Sequence, residues 1–242
     1  MKILIIRHGD PDYTIDSLTK KGHREAELLA SRIAPMDISA YYVSPLGRAK
    51  ATAEYTLKQC GRTAETLDWL HEFDRNLIIG KDGKRRIAWD MLPQDWTTIP
   101  EYYDNTKWAN VSVMSEADMK NGIDYVHNGL DALLAQHGYE RNGNCYNAVR
   151  PNEDTIALFC HFGVECVILG HLLGISPMVL WHGFIAAPTS VTTVCTEERR
   201  KGIAYFRVTA FGDISHLTNH GEPPAFAGRF CEMFSNIDQR HD

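Results

Sequence analysis

The first nine residues, Met1-Lys2-Ile3-Leu4-Ile5-Ile6-Arg7-His8-Gly9, decide the fold class of this 242-residue chain. The apolar run from Ile3 to Ile6 is rich in β-branched residues, which is typical of a strand that a parallel sheet buries on both faces. In open α/β sheets, ligands bind where such strands end at their carboxyl side. Arg7, His8 and Gly9 place a permanent cation, a titratable nitrogen and a flexible backbone step at that point. This combination suits a phosphoryl group.

Helical and strand patterns alternate along the rest of the chain. In the first half they predict a helix that follows Thr19 as N-cap and runs to Ile33, a strand over 40–44, a helix over 48–58 and a strand over 66–70. In the second half they predict a helix over 114–134, a strand over 155–160, a helix over 164–173, and a hairpin of 191–195 with 203–208. This alternation predicts an α/β fold, a three-layer α/β/α sandwich with a mostly parallel central sheet.

The segment at about 75–150 interrupts this rhythm. Its first part carries two prolines, three of the chain's five tryptophans and the basic run Lys84-Arg85-Arg86. Its last part, 138–154, is polar and rich in Gly and Asn, which predicts a loop. We therefore expect a single domain over 1–242 with a lid-like insertion at about 75–150, whose basic residues could meet a second acidic group on a substrate.

Composition narrows the classes of protein. The net charge of −6 argues against a general nucleic-acid binder, which would be basic. No apolar stretch is long enough to cross a bilayer, and no signal peptide is evident, so we expect no membrane partner and a cytoplasmic location. The six cysteines show no CxxC pairing and no zinc spacing, which favours reduced thiols and no metal site. The sequence does not indicate an oligomeric state.

Two further strand ends carry polar residues of the same kind. His161 follows the strand over 155–160, and Ser44-Pro45 ends the strand over 40–44, with Arg48 one turn into the next helix. Neighbouring parallel strands would bring His8 and His161 to one rim of the sheet. The N-terminus of the helix that carries Arg48 adds backbone donors and a positive dipole end, and both favour an anion.

Three motifs together resemble the histidine phosphatase superfamily, also called the phosphoglycerate mutase-like superfamily. They are Arg7-His8-Gly9, Ser44-Pro45-Leu46-Gly47-Arg48-Ala49 with Thr52-Ala53, and His161 with Gly163 ahead of an apolar helix. The resemblance covers roughly 1–72 and 155–208 and leaves 75–150 unmatched.

The resemblance implies a role for each matching residue. His8 would accept the phosphoryl group as a phosphohistidine, and Arg7, Arg48 and His161 would bind and neutralise its oxygens. Glu72 is the best match for the carboxylate that protonates the leaving oxygen and then activates water. No metal or other cofactor is implied, because the arginines supply the cationic charge.

The chain departs from the family pattern after Gly9. The segment Asp10-Pro11-Asp12-Tyr13-Thr14 replaces the mutase motif, which argues against glycolytic mutase activity and leaves open whether Thr14 or Tyr13 binds phosphate; we include Thr14 among the substrate-binding candidates. The sequence thus predicts a metal-independent phosphatase that acts on a small phosphate monoester. A phosphomutase and a catalytically idle protein that binds a phosphorylated ligand are the alternatives.

Overall fold

An eight-stranded sheet forms the middle of the molecule in the computed structural model, which describes residues 1–74, 76–80 and 83–241. The strands are β1 Lys2–Arg7, β2 Pro11–Asp12, β3 Ser17–Leu18, β4 Ala40–Val43, β5 Glu65–Thr66, β6 Ile78–Ile79, β7 Arg85–Arg86, β8 Tyr139–Asn142, β9 Cys145–Ala148, β10 Thr155–Cys160, β11 Val191–Arg200 and β12 Ile203–Asp213. The helices are α1 Lys20–Ile33, α2 Gly47–Cys60, α3 Pro93–Trp96, α4 Ser112–Glu116, α5 Met119–Gln136, α6 Phe162–Leu173, α7 Pro177–Gly183 and α8 Ser215–Thr218. Single 3₁₀ turns cover Asp68–Leu70, Ala88–Asp90, Pro100–Tyr103 and Trp108–Asn110.

The strand order of the main sheet is β5-β4-β10-β1-β11-β12-β9-β8. The first four strands are parallel, and the remaining neighbours pair antiparallel, so that six of the eight strands run in the same direction. In the register of β1 against β10, Arg7 lies opposite Cys160. The two central strands therefore end level with each other, and the residues that follow, His8 and His161, leave the sheet side by side.

Alternate side chains of β1 enter two separate apolar clusters. Leu4 and Ile6 pack with residues of α1 and α2 on one face of the sheet. Ile3 and Ile5 pack with residues of α5 and α6 on the other face. Because successive strand residues point to opposite faces, this one apolar run joins both helical layers to the sheet. The predicted α/β/α sandwich is confirmed.

Two predicted elements are wrong, each for a physical reason. The strand expected over 66–70 ends at Thr66, and Asp68–Leu70 form a 3₁₀ turn. Trp69 and Leu70 are both buried, whereas a strand would point these neighbours to opposite faces. The loop expected over 138–154 contains β8 and β9, an antiparallel hairpin that extends the main sheet. Its buried Tyr139 and Tyr146 alternate with polar residues, as is usual for an edge hairpin.

Other elements differ in extent. The helix expected over 114–134 is divided into α4 and α5, because Asp118 has a left-handed backbone with φ of +57°. The C-terminal hairpin is longer than expected, since β11 continues through the charged Glu197–Arg200 segment. Among the helices of the described residues, none combines the length and apolarity that crossing a bilayer requires.

The segment at about 75–150 contributes both to the core and to the region above the strand ends. Helix α5 and the β8–β9 hairpin belong to the core and the sheet. The 3₁₀ turn Ala88–Asp90 and helix α3 lie over the carboxyl ends of the parallel strands, where they line cavities. Arg85 and Arg86 lie on β7, outside the lining of those cavities.

Candidate active site

A pocket of about 170 Å³ opens at the carboxyl ends of β1, β4 and β10. Arg7, Arg48 and Glu72 are among the residues that line it, and we call it the strand-end pocket. His8 and His161 are buried, and their ring centroids lie 5.0 Å apart. The structure thus brings together five of the six residues that the sequence singles out.

His8 is held as a neutral imidazole. Its Nδ1 lies 2.7 Å from the carbonyl oxygen of Gly9, and because a carbonyl only accepts, Nδ1 carries the proton and Nε2 keeps its lone pair. Burial, reinforced by the charges of Arg7 and Arg48, lowers the pKa of His8 well below its usual value, against a smaller opposing effect of the Gly9 bond. A neutral imidazole with a free Nε2 is a competent nucleophile.

Arg7 is buried against the C-terminal segment. Its Nη1 donates hydrogen bonds to the carbonyl oxygens of Ala186 and Ala227. A Cβ at Gly228 would lie 2.8 Å from that same Nη1, and Gly228 has a φ of +84°. Close approach and positive φ both favour glycine here. Residues near 228 therefore form one wall of the strand-end pocket.

Arg48 is paired with Asp16 at the start of α2. Asp16 Oδ1 lies 2.7 Å from Nη1 of Arg48, and Asp16 Oδ2 accepts a hydrogen bond of 2.6 Å from the amide of Gly47. Burial raises the pKa of Asp16, but the hydrogen bonds from Gly47 and Arg48 outweigh burial and lower this pKa overall. The Tyr13 ring covers the guanidinium, with 5.4 Å from Cζ to the ring centroid. Arg48 is therefore held at the rim of the pocket.

His161 follows β10 directly and is also neutral. Its Nε2 lies 2.7 Å from Oγ of Ser44, the residue that follows β4. Within the described residues its Nδ1 is buried and has no hydrogen-bond partner. Burial lowers the pKa of His161 well below its usual value, and the positive charge of Arg48 acts in the same direction. A neutral ring with one unused nitrogen can bond to a ligand oxygen.

Glu72 lies where the 3₁₀ turn after β5 meets the first turn of α6. Its Oε1 accepts hydrogen bonds from the amides of Phe73, at 2.8 Å, and Val164, at 3.1 Å. Burial raises the pKa of Glu72, while the Phe73 bond and the two arginines oppose the shift. Oε2 has no hydrogen-bond partner among the described residues, so this carboxyl group can present a proton to a bound ligand.

Gly163 makes this arrangement possible. A Cβ at that position would lie 2.6 Å from Glu72 Oε1 and 2.4 Å from Cζ3 of Trp89. Any side chain there would collide with the carboxylate or with the indole. Glu72 and Trp89 therefore meet over the first turn of α6.

Thr14 is the candidate that the structure leaves outside the pocket. It is exposed on the turn between β2 and β3, and its hydroxyl donates to Asp12 at 2.6 Å. Its neighbour Tyr13 lines the strand-end pocket instead. A substrate-binding role for Thr14 stays a prediction from the sequence.

Four contacts of the site were not anticipated from the sequence. Asp16 pairs with Arg48, and Thr52 Oγ1 accepts the Gly9 amide at 2.9 Å. Trp89 borders Glu72, and Gly228 borders Arg7. Thr52 lies in the motif that contains Arg48, where the sequence pattern alone assigns it no partner. The other three lie far along the chain from their partners or on irregular segments, where residue periodicity carries no signal. Among the described residues, no three metal-ligating side chains cluster.

Comparison with known proteins agrees with this geometry. The family model of the histidine phosphatase superfamily (branch 1) matches residues 3–118. No curated protein sequence matched the chain. A phosphoserine phosphatase from Entamoeba histolytica, crystallised with phosphoserine, is 19% identical, with a TM-score of 0.58 over 89% of this chain and 98% of that one.

Two further solved structures have the same fold. A mycobacterial glucosyl-3-phosphoglycerate phosphatase is 16% identical, with a TM-score of 0.58 over 87% of this chain and 98% of that one. A putative α-ribazole-5′-P phosphatase from Escherichia coli is 18% identical, with a TM-score of 0.56 over 88% of this chain and 98% of that one.

Proposed function

We propose that this chain, whose residues 3–118 match the model of the histidine phosphatase superfamily (branch 1), hydrolyses a small phosphate monoester through a phosphohistidine on His8. The reaction uses no metal ion. One observation carries the proposal. His8 is neutral, its Nδ1 is bound to the Gly9 carbonyl, and its ring lies beside His161 and between the charges of Arg7 and Arg48.

The first step is transfer of the phosphoryl group to His8. The substrate's phosphoryl oxygens lie between Arg7, Arg48 and His161, and the guanidinium groups offset the charge that builds up on them. Nε2 of His8 attacks phosphorus in line with the ester oxygen. A P–N bond forms as the P–O bond to the alcohol breaks. Burial of His8 favours this step, since it keeps the attacking nitrogen unprotonated.

Glu72 completes the cycle as acid and then as base. It donates its proton to the departing ester oxygen, which leaves as the neutral alcohol. The resulting carboxylate takes a proton from a water molecule, whose oxygen attacks the phosphohistidine. The P–N bond breaks, inorganic phosphate is released, and Glu72 is protonated again. The raised pKa of Glu72 suits a group that must both give and take a proton.

The names of the structural neighbours support the chemistry and leave the substrate open. The neighbours are named as phosphatases of phosphoserine and of glucosyl-3-phosphoglycerate, and as a putative phosphatase of α-ribazole 5′-phosphate. These compounds share a phosphate monoester and differ in the alcohol. A common reaction on different alcohols fits a site in which residues at the strand ends catalyse the reaction. The segments that lie over the strand ends would then select the substrate.

The proposed function is tested with p-nitrophenyl phosphate and a panel of phosphate esters, in buffer that contains EDTA. We expect release of inorganic phosphate from the wild type and none from His8→Ala. Activity that disappears with EDTA and returns with added metal would contradict the metal-independent mechanism.

The same assay separates the alternatives. Isomerisation of a phosphorylated substrate without phosphate release would indicate a phosphomutase. Tight binding of phosphate without turnover would indicate an idle binding protein. The cytoplasmic location, the single domain and the lack of a nucleic-acid partner stay predictions from the sequence.

A further inference from the structure

A larger cavity of about 440 Å³ lies beside the strand-end pocket, and we call it the aromatic cavity. The two share five lining residues, which are Trp89, Asp90, Phe162, Gly228 and Phe230. The two cavities therefore adjoin each other along these residues. The volume of the aromatic cavity falls within the range of sites that bind small molecules. It can hold a group much larger than a phosphoryl group.

Flat rings form most of the wall of the aromatic cavity. Besides the shared residues, Trp96, Trp181 and Phe184 line it. The Trp89 and Trp181 ring centroids are 5.8 Å apart, and Trp96 lies 4.8 Å from the ring of His182 at an interplanar angle of 30°. Aromatic faces in this arrangement bind another planar ring by offset or edge-to-face stacking. The aromatic residues that line the cavity thus favour a planar ligand.

Three buried polar atoms of cavity-lining residues have no partner among the described residues. They are Oδ1 of Asp90, Nε1 of Trp96 and Nε2 of His182. The second oxygen of Asp90 is occupied, since Arg240 donates to it at 2.6 Å. A buried polar atom without a partner is costly, and a ligand that supplies one removes that cost. Oδ1 of Asp90 needs a donor, and the indole N–H of Trp96 needs an acceptor.

The aromatic cavity also lies close to Glu72, the proposed acid. Trp89 and Glu72 both approach the backbone of Gly163, as the 2.4 Å and 2.6 Å contacts of a Cβ there indicate. An ester oxygen that receives the proton of Glu72 therefore lies next to Trp89. Trp89 also lines the aromatic cavity, which leaves room there for the group attached to that oxygen.

We propose that the aromatic cavity binds the alcohol part of the substrate, and that this part carries a planar heteroaromatic ring with a hydrogen-bond donor and an acceptor. The substrate class is then a phosphate monoester such as a nucleoside 5′-monophosphate or a phosphorylated pyridine alcohol. This inference rests on the proposed phosphatase function, because it assigns the leaving group of that reaction.

The test compares phosphate esters that carry a heteroaromatic ring with one that lacks it. The four ribonucleoside 5′-monophosphates and pyridoxal 5′-phosphate are compared with ribose 5-phosphate, which has the same reacting end as the nucleotides. We expect at least one ring-bearing ester to exceed ribose 5-phosphate in kcat/KM by about tenfold or more. If none does so, the inference is overturned.

Variants of Trp96 test whether the preference for a ring-bearing ester arises from the aromatic cavity. Trp96→Phe keeps a flat wall without the N–H donor, and Trp96→Ala removes both. The ratio of kcat/KM for the preferred ring-bearing ester to that for ribose 5-phosphate should fall in the first and fall further in the second. Tyr103→Phe is the control, since the Tyr103 ring lies 5.2 Å from Trp96 without lining the cavity; its ratio should match that of the wild type. An unchanged ratio in both Trp96 variants would contradict the proposal.

Failure of the phosphatase function itself gives a different result. In that case neither p-nitrophenyl phosphate nor any ester of the panel is hydrolysed. Calorimetric binding of AMP and ribose 5-phosphate then decides the inference alone. Tighter binding of AMP, weakened by Trp96→Phe, supports the aromatic cavity as a ring site, and equal affinities reject it.

Discussion

Asp16 holds Arg48 by an ion pair of 2.7 Å between Oδ1 and Nη1, so a carboxylate occupies one edge of a guanidinium that we propose binds a phosphoryl group. Asp16 adopts a φ of +46°, which places its side chain at the start of α2. The pair fixes the position of Arg48. It also adds a negative charge beside an anion site, where like charges repel.

Replacing Asp16 with asparagine should strengthen the binding of inorganic phosphate. Asparagine keeps an oxygen for the Gly47 amide and tolerates a positive φ, and it removes one negative charge near the phosphoryl oxygens. We expect the inhibition constant of phosphate, measured against p-nitrophenyl phosphate hydrolysis, to fall by about three- to tenfold. Asp12→Asn, which changes a charge on the exposed turn nearby, should have little effect. Weaker inhibition in Asp16→Asn would mean that Asp16 acts mainly by orienting Arg48.

The pH dependence should differ between good and poor leaving groups. The pKa of Glu72 is raised, so the acid is protonated below that pKa and loses its proton as the pH rises through it. Alkyl phosphates, which need a protonated leaving oxygen, should therefore lose kcat as the pH rises. The lowered pKa of His8 keeps the nucleophile neutral well into the acidic range. Rate profiles for glycerol 3-phosphate and p-nitrophenyl phosphate, each with wild type and Glu72→Gln, measure this.

The variant Glu72→Gln should slow glycerol 3-phosphate much more than p-nitrophenyl phosphate, whose phenolate needs little protonation. In this variant, kcat for glycerol 3-phosphate should also no longer fall as the pH rises. Equal slowing of both esters would assign the acid to another carboxylate.

A methyl group at Gly163 should disturb the acid and the fold together. The added Cβ would lie 2.4 Å from Trp89 and 2.6 Å from Glu72. We expect Gly163→Ala to lower the free energy of unfolding by about 1–3 kcal/mol and to lower kcat, as urea denaturation and steady-state kinetics would measure. Gly183→Ala at the end of α7 is the control, because its Cβ would meet no atom within 4 Å. Similar losses in both variants would contradict the contact.

The C-terminal segment should influence catalysis through Gly228. Both Gly228 and Gly221 have positive φ, at +84° and +65°, but only a Cβ at Gly228 would approach Arg7, at 2.8 Å. The backbone strain of alanine, about 1–2 kcal/mol, should be alike at both positions. Displacement of Arg7 in Gly228→Ala should lower kcat by about a hundredfold, whereas Gly221→Ala should keep it. Equal kcat values would show that the segment does not position Arg7.

The regular core could be predicted from the sequence because its signals are local. The apolar runs before His8 and His161 are strands, and their parallel pairing follows from alternation with helices. The hairpin of β8 and β9 differs from the predicted loop, although Gly143-Asn144, which connects the two strands, is a turn signal between two tyrosine-containing segments. Its polar residues face outward at the sheet edge, so its composition resembles that of a loop.

The site could be predicted only where its residues directly follow strands or lie in a motif. Arg7, His8, Arg48, Glu72 and His161 do so. Arg7, Arg48 and Glu72 line the strand-end pocket, and His8 and His161 lie buried next to each other. Gly228 meets Arg7 from more than two hundred residues away along the chain. Trp89 reaches Glu72 from an irregular segment. Such contacts depend on how loops pack over the sheet. The periodicity of apolar residues indicates helices and strands, but it does not indicate how loops pack.

The most direct test of the account is to trap the phosphorylated enzyme. Wild type and His8→Ala are mixed with a ³²P-labelled monoester, quenched in alkali within milliseconds, and analysed by peptide mass spectrometry. We predict one phosphoryl group on the peptide that contains His8, stable in alkali, lost in acid, and absent from His8→Ala. Hydrolysis by the wild type with no label on His8, or with label on another residue, would contradict the central claim that His8 is the nucleophile.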